Sequence, residues 1–163
     1  MSDKYICFWK IKDPYGFLSN WWVSPFIENG ITFHTAEHYL MYHKAILFND
    51  KHSAKSILMV NTPSEVKRIG RRVKNFDQEV WDKNKYEIMC NGLYLKFSQN
   101  PYLLKLLLET ENAILVEASP FDIVWGIGLA APTSYCGVDL DNCPGLNLLG
   151  KALMEVRKKL REK

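Results

Sequence analysis

The sequence has no GxGxxG and no GxxxxGK[ST] element, so neither a Rossmann nor a P-loop nucleotide site is expected. It has no GxSxG nucleophile elbow. It has no HExxH pair either, and His38 and His43 stand five residues apart, badly placed to share a helix face. No metal and no cofactor are expected on these grounds. No CxxC pair occurs among Cys7, Cys90, Cys136 and Cys143. Two of these lie in apolar runs and no secretory leader pattern is visible, which suits thiols in a reducing, cytoplasmic compartment. No apolar run approaches the roughly 20 residues that cross a bilayer, Ile123–Ala131 and Tyr102–Leu108 being the longest, so no membrane is expected. Internal repeats and low-complexity linkers are missing too. Charge of one sign is scarce: 21 Lys and Arg against 18 Asp and Glu leave +3. That balance does not announce a nucleic-acid protein, yet it would not repel a phosphorylated ligand.

What is present is ordinary in amount and unusual in kind. The 163 residues are 47% hydrophobic and 24% charged, the composition of a globular chain. A single compact domain over residues 1–163 is expected, large enough to bury about 68–70% of its unfolded surface. Aromatic residues reach 13%, with five Trp, which calls for a bulky core or an aromatic-lined pocket.

Local signals then divide the chain. Tyr5–Trp9 is a β-prone run. Asn29-Gly30 marks a turn, with Ile31–Phe33 as one strand of a small hairpin. Thr35 fits the N-cap of a helix running to about Phe48. Helical turns follow over Lys51–Met59 and over Pro63–Val73, where Pro63 suits the first helical position. The longest helix spans about Asp77 to Ser98, and Trp81, Ile88 and Leu95 recur every seven positions toward the core. Gly92 within it implies close packing. Pro101–Glu109 is helical, Ile114–Val116 is a buried strand, and Gly126–Gly145 is loop-rich. A last helix runs from Asn147 to about Arg161. Five or six helices with two or three short strands make an α-dominated α+β fold.

Three clusters can carry chemistry. On the Thr35 helix, Glu37, Met41 and Lys44 follow i, i+4, i+7 spacing and share a face. Glu37 and Lys44 lie about 10 Å apart along the axis, so long side chains can converge on one ligand. A solvated helix face would show the same pattern. In Leu115–Gly128, Glu117, Asp122 and Trp125 stand at the end of an apolar strand. Gly126 and Gly128 follow, where a backbone can approach a ligand closely. Carboxylates there can accept ligand hydroxyls or activate water, while Asp122 equally suits an Asx turn and Trp125 a core position. In Val66–Arg72, Gly70 interrupts a basic run and leaves Arg71 able to hold a phosphate by a bidentate contact.

In order along the chain, Leu18-Ser19-Asn20, Thr35-Ala36-Glu37-His38-Tyr39 with Lys44-Ala45, Gly70-Arg71, Trp81 and Leu95-Lys96-Phe97 resemble motifs of the NADAR (YbiA-like) family. So do Leu115-Val116-Glu117, Asp122 with Trp125–Gly128, and Asn147–Gly150 with Leu153–Arg157. The resemblance runs from about Phe8 to Leu160. Leu40–His43 and Cys143-Pro144 depart from the family pattern, and both bear on substrate identity.

The resemblance implies a single NADAR-like domain and an N-glycosidase that cleaves a ribose C1′–N bond. The expected substrate is ADP-ribosylated guanine in a nucleotide or nucleic acid, in functional pairing with a DNA ADP-ribosyltransferase. The alternatives are hydrolysis of phosphoribosylamino-pyrimidine intermediates of riboflavin biosynthesis, or a non-catalytic ADP-ribose-binding module. It puts Glu37, Lys44, Trp81, Glu117, Asp122 and Trp125 in or beside the site, with Asn20 and Arg71 as ligand contacts. Breaking C1′–N develops oxocarbenium character that a carboxylate stabilises, with Glu37 and Asp122 the candidates. Lys44, on the Glu37 face, is expected to capture the opened ribose as a Schiff base. Trp81 and Trp125 would stack on the base.

Overall fold

In chain order the elements are β1 (Tyr5–Phe8), a 3₁₀ turn (Gly16–Leu18), β2 (Phe26–Glu28), β3 (Ile31–Phe33), α1 (Ala36–Leu47), α2 (Lys51–Met59) and α3 (Pro63–Gly70). They continue as α4 (Gln78–Ser98), α5 (Pro101–Glu109), β4 (Ile114–Glu117) and α6 (Leu148–Arg161). This is a computed structural model that describes residues 4–131 and 139–163. Pro132, Cys136 and Gly137 of the loop-rich stretch lie outside the described residues. Among the described residues, six helices and four short strands bear out an α-dominated α+β fold, the second hairpin strand adding to the strands expected. The chain folds as two compact units, Met1–Trp22 with Pro101–Lys163, and Val23–Asn100.

In the Val23–Asn100 unit, side-chain caps set the helical frame. Thr35 accepts from the His38 amide at the head of α1, Asp50 from Ser53 at α2, and Thr62 from Glu65 at α3. Asp77 accepts from Glu79 and Val80 at α4. Each such cap contributes about 1 kcal/mol by satisfying an amide with no intrahelical partner. Asn29 and Gly30 both take positive φ, 50° and 79°, as the two-residue hairpin turn requires. The turn sets Phe26 opposite Phe33, and Tyr39 of α1 closes on both rings at 5.7 and 5.1 Å. Gln99 binds the Ile27 N–H and C=O, each at 2.8 Å, and so covers the hairpin's free edge.

The helix expected to reach Val73 ends at Gly70. Arg71 and Arg72 still donate back to the Lys67 and Ile69 carbonyls, but the Lys74 amide turns away to Asp50 Oδ2 at 2.9 Å. Hydrogen bonds from the Lys74 amide and from Ser53, including Ser53 Oγ at 2.6 Å, hold the Asp50 carboxylate and push its pKa down to about 2.

In the other unit β1 and β4 pair in parallel, with Tyr5 opposite Ile114 and Phe8 opposite Glu117. α6 buries Leu149, Leu153, Val156 and Leu160. Arg157, also buried, donates to Thr110 Oγ1 at 2.8 Å and to the Ala113 carbonyl at 2.9 Å, fixing the turn between α5 and β4. Cys90 and Cys143 are free thiols, whereas Cys7 on β1 is disulfide-bonded, so the expectation of thiols alone does not hold there. Among the described residues no helix is long and apolar enough to cross a membrane.

Candidate active site

α1 is amphipathic in an unusual sense, because both its faces are largely buried. His38, 1% exposed, ties the helix into the unit: its Nε2 meets the Val60 carbonyl at 2.9 Å and its Nδ1 meets Thr35 Oγ1 at 2.7 Å. A carbonyl only accepts, so Nε2 carries the hydrogen and Nδ1 receives the Thr35 hydroxyl. Burial lowers the His38 pKa and keeps the ring neutral. On the far face, Tyr39 and His43 share the Glu28 carboxylate, at 2.8 Å to each oxygen.

With α1 held on that side, Glu37 and Lys44 present the other face. Glu37 is 8% exposed. Lys44 Nζ donates to the Gly70 carbonyl at 2.8 Å and lies over two rings, Phe76 at 4.7 Å and Trp81 at 5.6 Å. Burial lowers the Lys44 pKa, and the charge of Glu37 opposes that shift. A half-buried amine that feels a carboxylate's charge and is walled by aromatic rings is in the environment where lysine gains a neutral, nucleophilic fraction. Gly70 is part of the same construction. A Cβ there would fall on the Met41 side chain, so glycine lets α3 bring its last carbonyl up to Lys44.

Within Val23–Asn100 the structure therefore brings Lys44 together with Glu37 and Trp81. Trp81, 7% exposed, is a core residue as its spacing predicts, and its ring also walls the Lys44 amine. Arg71 is exposed and follows the Gly70 carbonyl directly. Phe76 is the neighbour that sequence reasoning missed here, and Gly70, singled out beside Arg71, contributes its carbonyl to Lys44. Phe76 precedes the Asp77 cap, a position where an apolar side chain commonly packs on its helix, and that was the available signal.

The second group lies in the other unit. Asp122 Oδ1 accepts from Val124 and Trp125 amides at 2.9 and 2.8 Å, an Asx-type clasp that shapes the loop. Ile127 donates to the Glu117 carbonyl at 2.9 Å. A Cβ on Gly126 would come within 2.9 Å of both the Asp122 and Glu117 carbonyls, and Gly128 takes φ +73°. Four amides from Leu146 to Leu149 donate to carbonyls of Ile123–Gly126, which docks the loop on the head of α6. Asn147, in the left-handed region at φ 53°, completes the clasp. Its Oδ1 accepts from Glu117 N and its Nδ2 donates to Leu115 O, both at 3.0 Å. Sequence reasoning gave Asn147 no such role, since the clasp depends on β4 and α6 meeting. Asn20 is 7% exposed just beyond the 3₁₀ turn, its Oδ1 shielded from solvent like Glu117 Oε2. Among the described residues no three His, Cys, Asp or Glu side chains are placed to hold a metal ion.

The two candidate carboxylates are differently engaged. Glu37 acts electrostatically on the lysine, whereas one oxygen of Asp122 is committed to two backbone amides.

Comparison with known proteins adds an independent line. The chain matches the NADAR domain family over residues 7–161. It is 44% identical to "N-glycosidase R617" of Acanthamoeba polyphaga mimivirus, the match covering 96% of each chain. It is 34% identical to the Escherichia coli "N-glycosidase YbiA" across 98% of this chain and 91% of that one. It is also 35% identical to the maize chloroplastic "Riboflavin biosynthesis protein PYRR", over 95% of this chain but 25% of that longer protein. The solution NMR structure of E. coli YbiA superimposes with a TM-score of 0.81 at 33% identity, covering 99% of this chain and 88% of that one.

Proposed function

The chain belongs to the NADAR family, and on that premise we propose that it is an N-glycosidase whose reaction runs through Lys44 and Glu37. The observation that carries the reading is the Lys44 amine itself, half-buried against Phe76 and Trp81 with Glu37 acting on its charge. Two relatives named N-glycosidases, matched over nearly their whole lengths, support the reaction class.

A ribose joined through C1′ to an exocyclic nitrogen is a glycosylamine. Its ring opens when O4′ takes a proton and the nitrogen lone pair forms a C1′=N bond. Neutral Lys44 Nζ adds to C1′, the C1′–N bond breaks, and the base departs as its free amine. The Schiff base left on Lys44 takes up water at C1′, the C1′–Nζ bond breaks, and the ribose leaves as an aldehyde that recloses. Glu37 donates the proton that opens the ring and accepts one from the attacking water. Arg71 would hold a phosphate of the ligand, and Trp81 would face the base.

ADP-ribosylated guanine in nucleic acid is the substrate we favour, which makes the reaction the reversal of a guanine-directed ADP-ribosyltransferase. The second reading is a phosphoribosylamino-pyrimidine of riboflavin biosynthesis, favoured by the likeness to the maize protein. A mass-spectrometric time course on both substrates, with and without borohydride, tests the proposal. Release of free ADP-ribose and intact guanine, with a reduced adduct mapping to Lys44, is expected. Glu37→Gln should lose about 10²–10⁴ in rate. Turnover without an adduct would leave Glu37 activating water directly. Binding without turnover of either substrate would overturn the glycosidase reading in favour of an ADP-ribose-binding module.

A further inference from the structure

Positive charge gathers in two stretches, residues 157–163 and residues 67–74, of which only the second holds no acid. Lys67, Arg68, Arg71, Arg72 and Lys74 supply +5 with no acid among residues 67–74, against +3 for the whole chain, so the remaining residues net −2. All five are exposed. At about 100° per residue, Lys67, Arg68, Arg71 and Arg72 leave α3 and its last turn within about 140° of arc, while Val66 and Gly70 pack inward. The nearby acids are already engaged: Glu65 Oε1 accepts from the Thr62 hydroxyl, Asp50 holds Lys74 and Ser53, and Asp77 caps α4. Lys67 and Arg68 complement the C-terminal end of the α3 dipole, but that role does not account for Arg71 and Arg72 beyond the helix. Two further features adjoin the strip. The Gly70 carbonyl inside it receives Lys44, and Phe76 shows 42% of its surface beside the same amine.

We propose that this strip, Lys67, Arg68 and Arg72 around Arg71, binds the phosphate backbone of a single-stranded nucleic acid and feeds one unstacked base toward Phe76 and Lys44. A one-sided row of unneutralised cations fits a polyanion. An exposed aromatic face at its end fits an unpaired base rather than a duplex. A free nucleotide, with its few phosphates, would need Arg71 alone. What the strip is for rests on the glycosidase reading above, but the binding itself does not depend on it.

The test uses a fluorescein-labelled, unmodified single-stranded 20-mer and anisotropy over a range of salt. Wild type should bind, with log K falling against log salt at a slope of about −2 or steeper, since each phosphate contact contributes about −0.7. The triple variant Lys67→Ala/Arg68→Ala/Arg72→Ala should bind at least tenfold more weakly in low salt, its slope shallower by about 2. Arg68→Lys/Arg72→Lys, which keeps the charges, should retain most of the binding, and equal melting of all three proteins excludes a folding defect. No binding by wild type, or an unchanged slope in the triple variant, overturns the proposal. On a mononucleotide-sized glycosylamine the triple variant should keep wild-type kcat/KM, so loss of glycosidase activity and loss of strand binding are read separately.

Discussion

Gly92→Ala places a methyl group where the structure leaves no room for one, and its consequence can be worked through. The new Cβ would stand 2.5 Å from Tyr39 Cδ1, 3.0 Å from Cε1 and 3.2 Å from Cγ. Carbon atoms rest about 3.5–4.0 Å apart, so the ring or α4 must yield by about 1 Å. Tyr39 has little freedom to do so. It is 2% exposed, packed on Phe26, Phe33 and His43, and its hydroxyl donates to Glu28 at 2.8 Å. Overpacking of this kind costs about 1–3 kcal/mol, and a weakened hydrogen bond to the Glu28 carboxylate adds about 1.5 kcal/mol or more. Replacing a mid-helix glycine returns about 1 kcal/mol. The expected balance is a loss of about 2 kcal/mol, which lowers Tm by about 2–4 °C for each kcal/mol in a chain of this size. Urea unfolding followed by circular dichroism should show a lower midpoint at constant slope. Trimming the ring by Tyr39→Leu should abolish the penalty, so that Gly92→Ala becomes neutral or stabilising in that background. Equal cost in both backgrounds, or a raised midpoint in the wild-type background, refutes the reasoning. Because Tyr39 shares α1 with Glu37 and Lys44, turnover should fall as well. A displacement of 1 Å in catalytic geometry can cost about 10²-fold.

Three further outcomes are expected. Lys96 is fully buried and its pKa falls from 10.5 to about 7 because burial disfavours the ammonium. The unfolded chain therefore holds the proton more tightly between pH 7 and 10.5, and wild-type stability should rise with pH across that window. Lys96→Met should show its largest relative advantage below pH 7, with about 5 kcal/mol as a ceiling at 1.36 kcal/mol per pH unit, and lose it near pH 10.5. Denaturation at pH 6 and pH 10 checks this, and parallel pH curves for the two proteins would refute it. Lys44 should titrate below 10.5 in NMR spectra of ¹³C-labelled lysine, and Glu37→Gln should move it lower still, because the carboxylate is what favours the charged amine. Asp50, with its pKa held at about 2, contributes stability that is complete above its ordinary value near 3.8 and lost as pH falls through 2. Asp50→Ala should thus destabilise the protein at pH 7 and leave little difference near pH 2 in acid unfolding followed by fluorescence.

Much of the fold could be read from local chemistry because the decisive interactions span few residues. Thr35 and Asp77 head their helices as their side chains dictate, Pro63 stands at the first helical position, and Asn29-Gly30 adopts the positive φ values its turn demands. Partner choice was not readable. Tyr5–Phe8 and Ile114–Glu117 are both short apolar runs, and nothing within either specifies a parallel neighbour so far along the chain. The same limit applies to the site. Spacing put Glu37 and Lys44 on one face, but only tertiary packing supplies the Gly70 carbonyl and the Phe76 ring. Asp122 and Glu37 are both carboxylates, and backbone amides two and three residues on give Asp122 its clasp. Lys96, flanked by Leu95 and Phe97, gives no sequence-level sign of complete burial.

The parallel pairing of β1 with β4 also sets a schedule for synthesis. Residues 5–8 leave the ribosome long before their partners at 114–117 exist. At about 5–20 residues per second the interval is roughly 5–20 s. Throughout it β1 is a nascent strand with both edges open, the kind of segment that recruits wrong partners or chaperones. Val23–Asn100, continuous in the chain, is translated entirely within that interval, so the Lys44 amine and its aromatic walls can assemble co-translationally before β1 has anything to pair with.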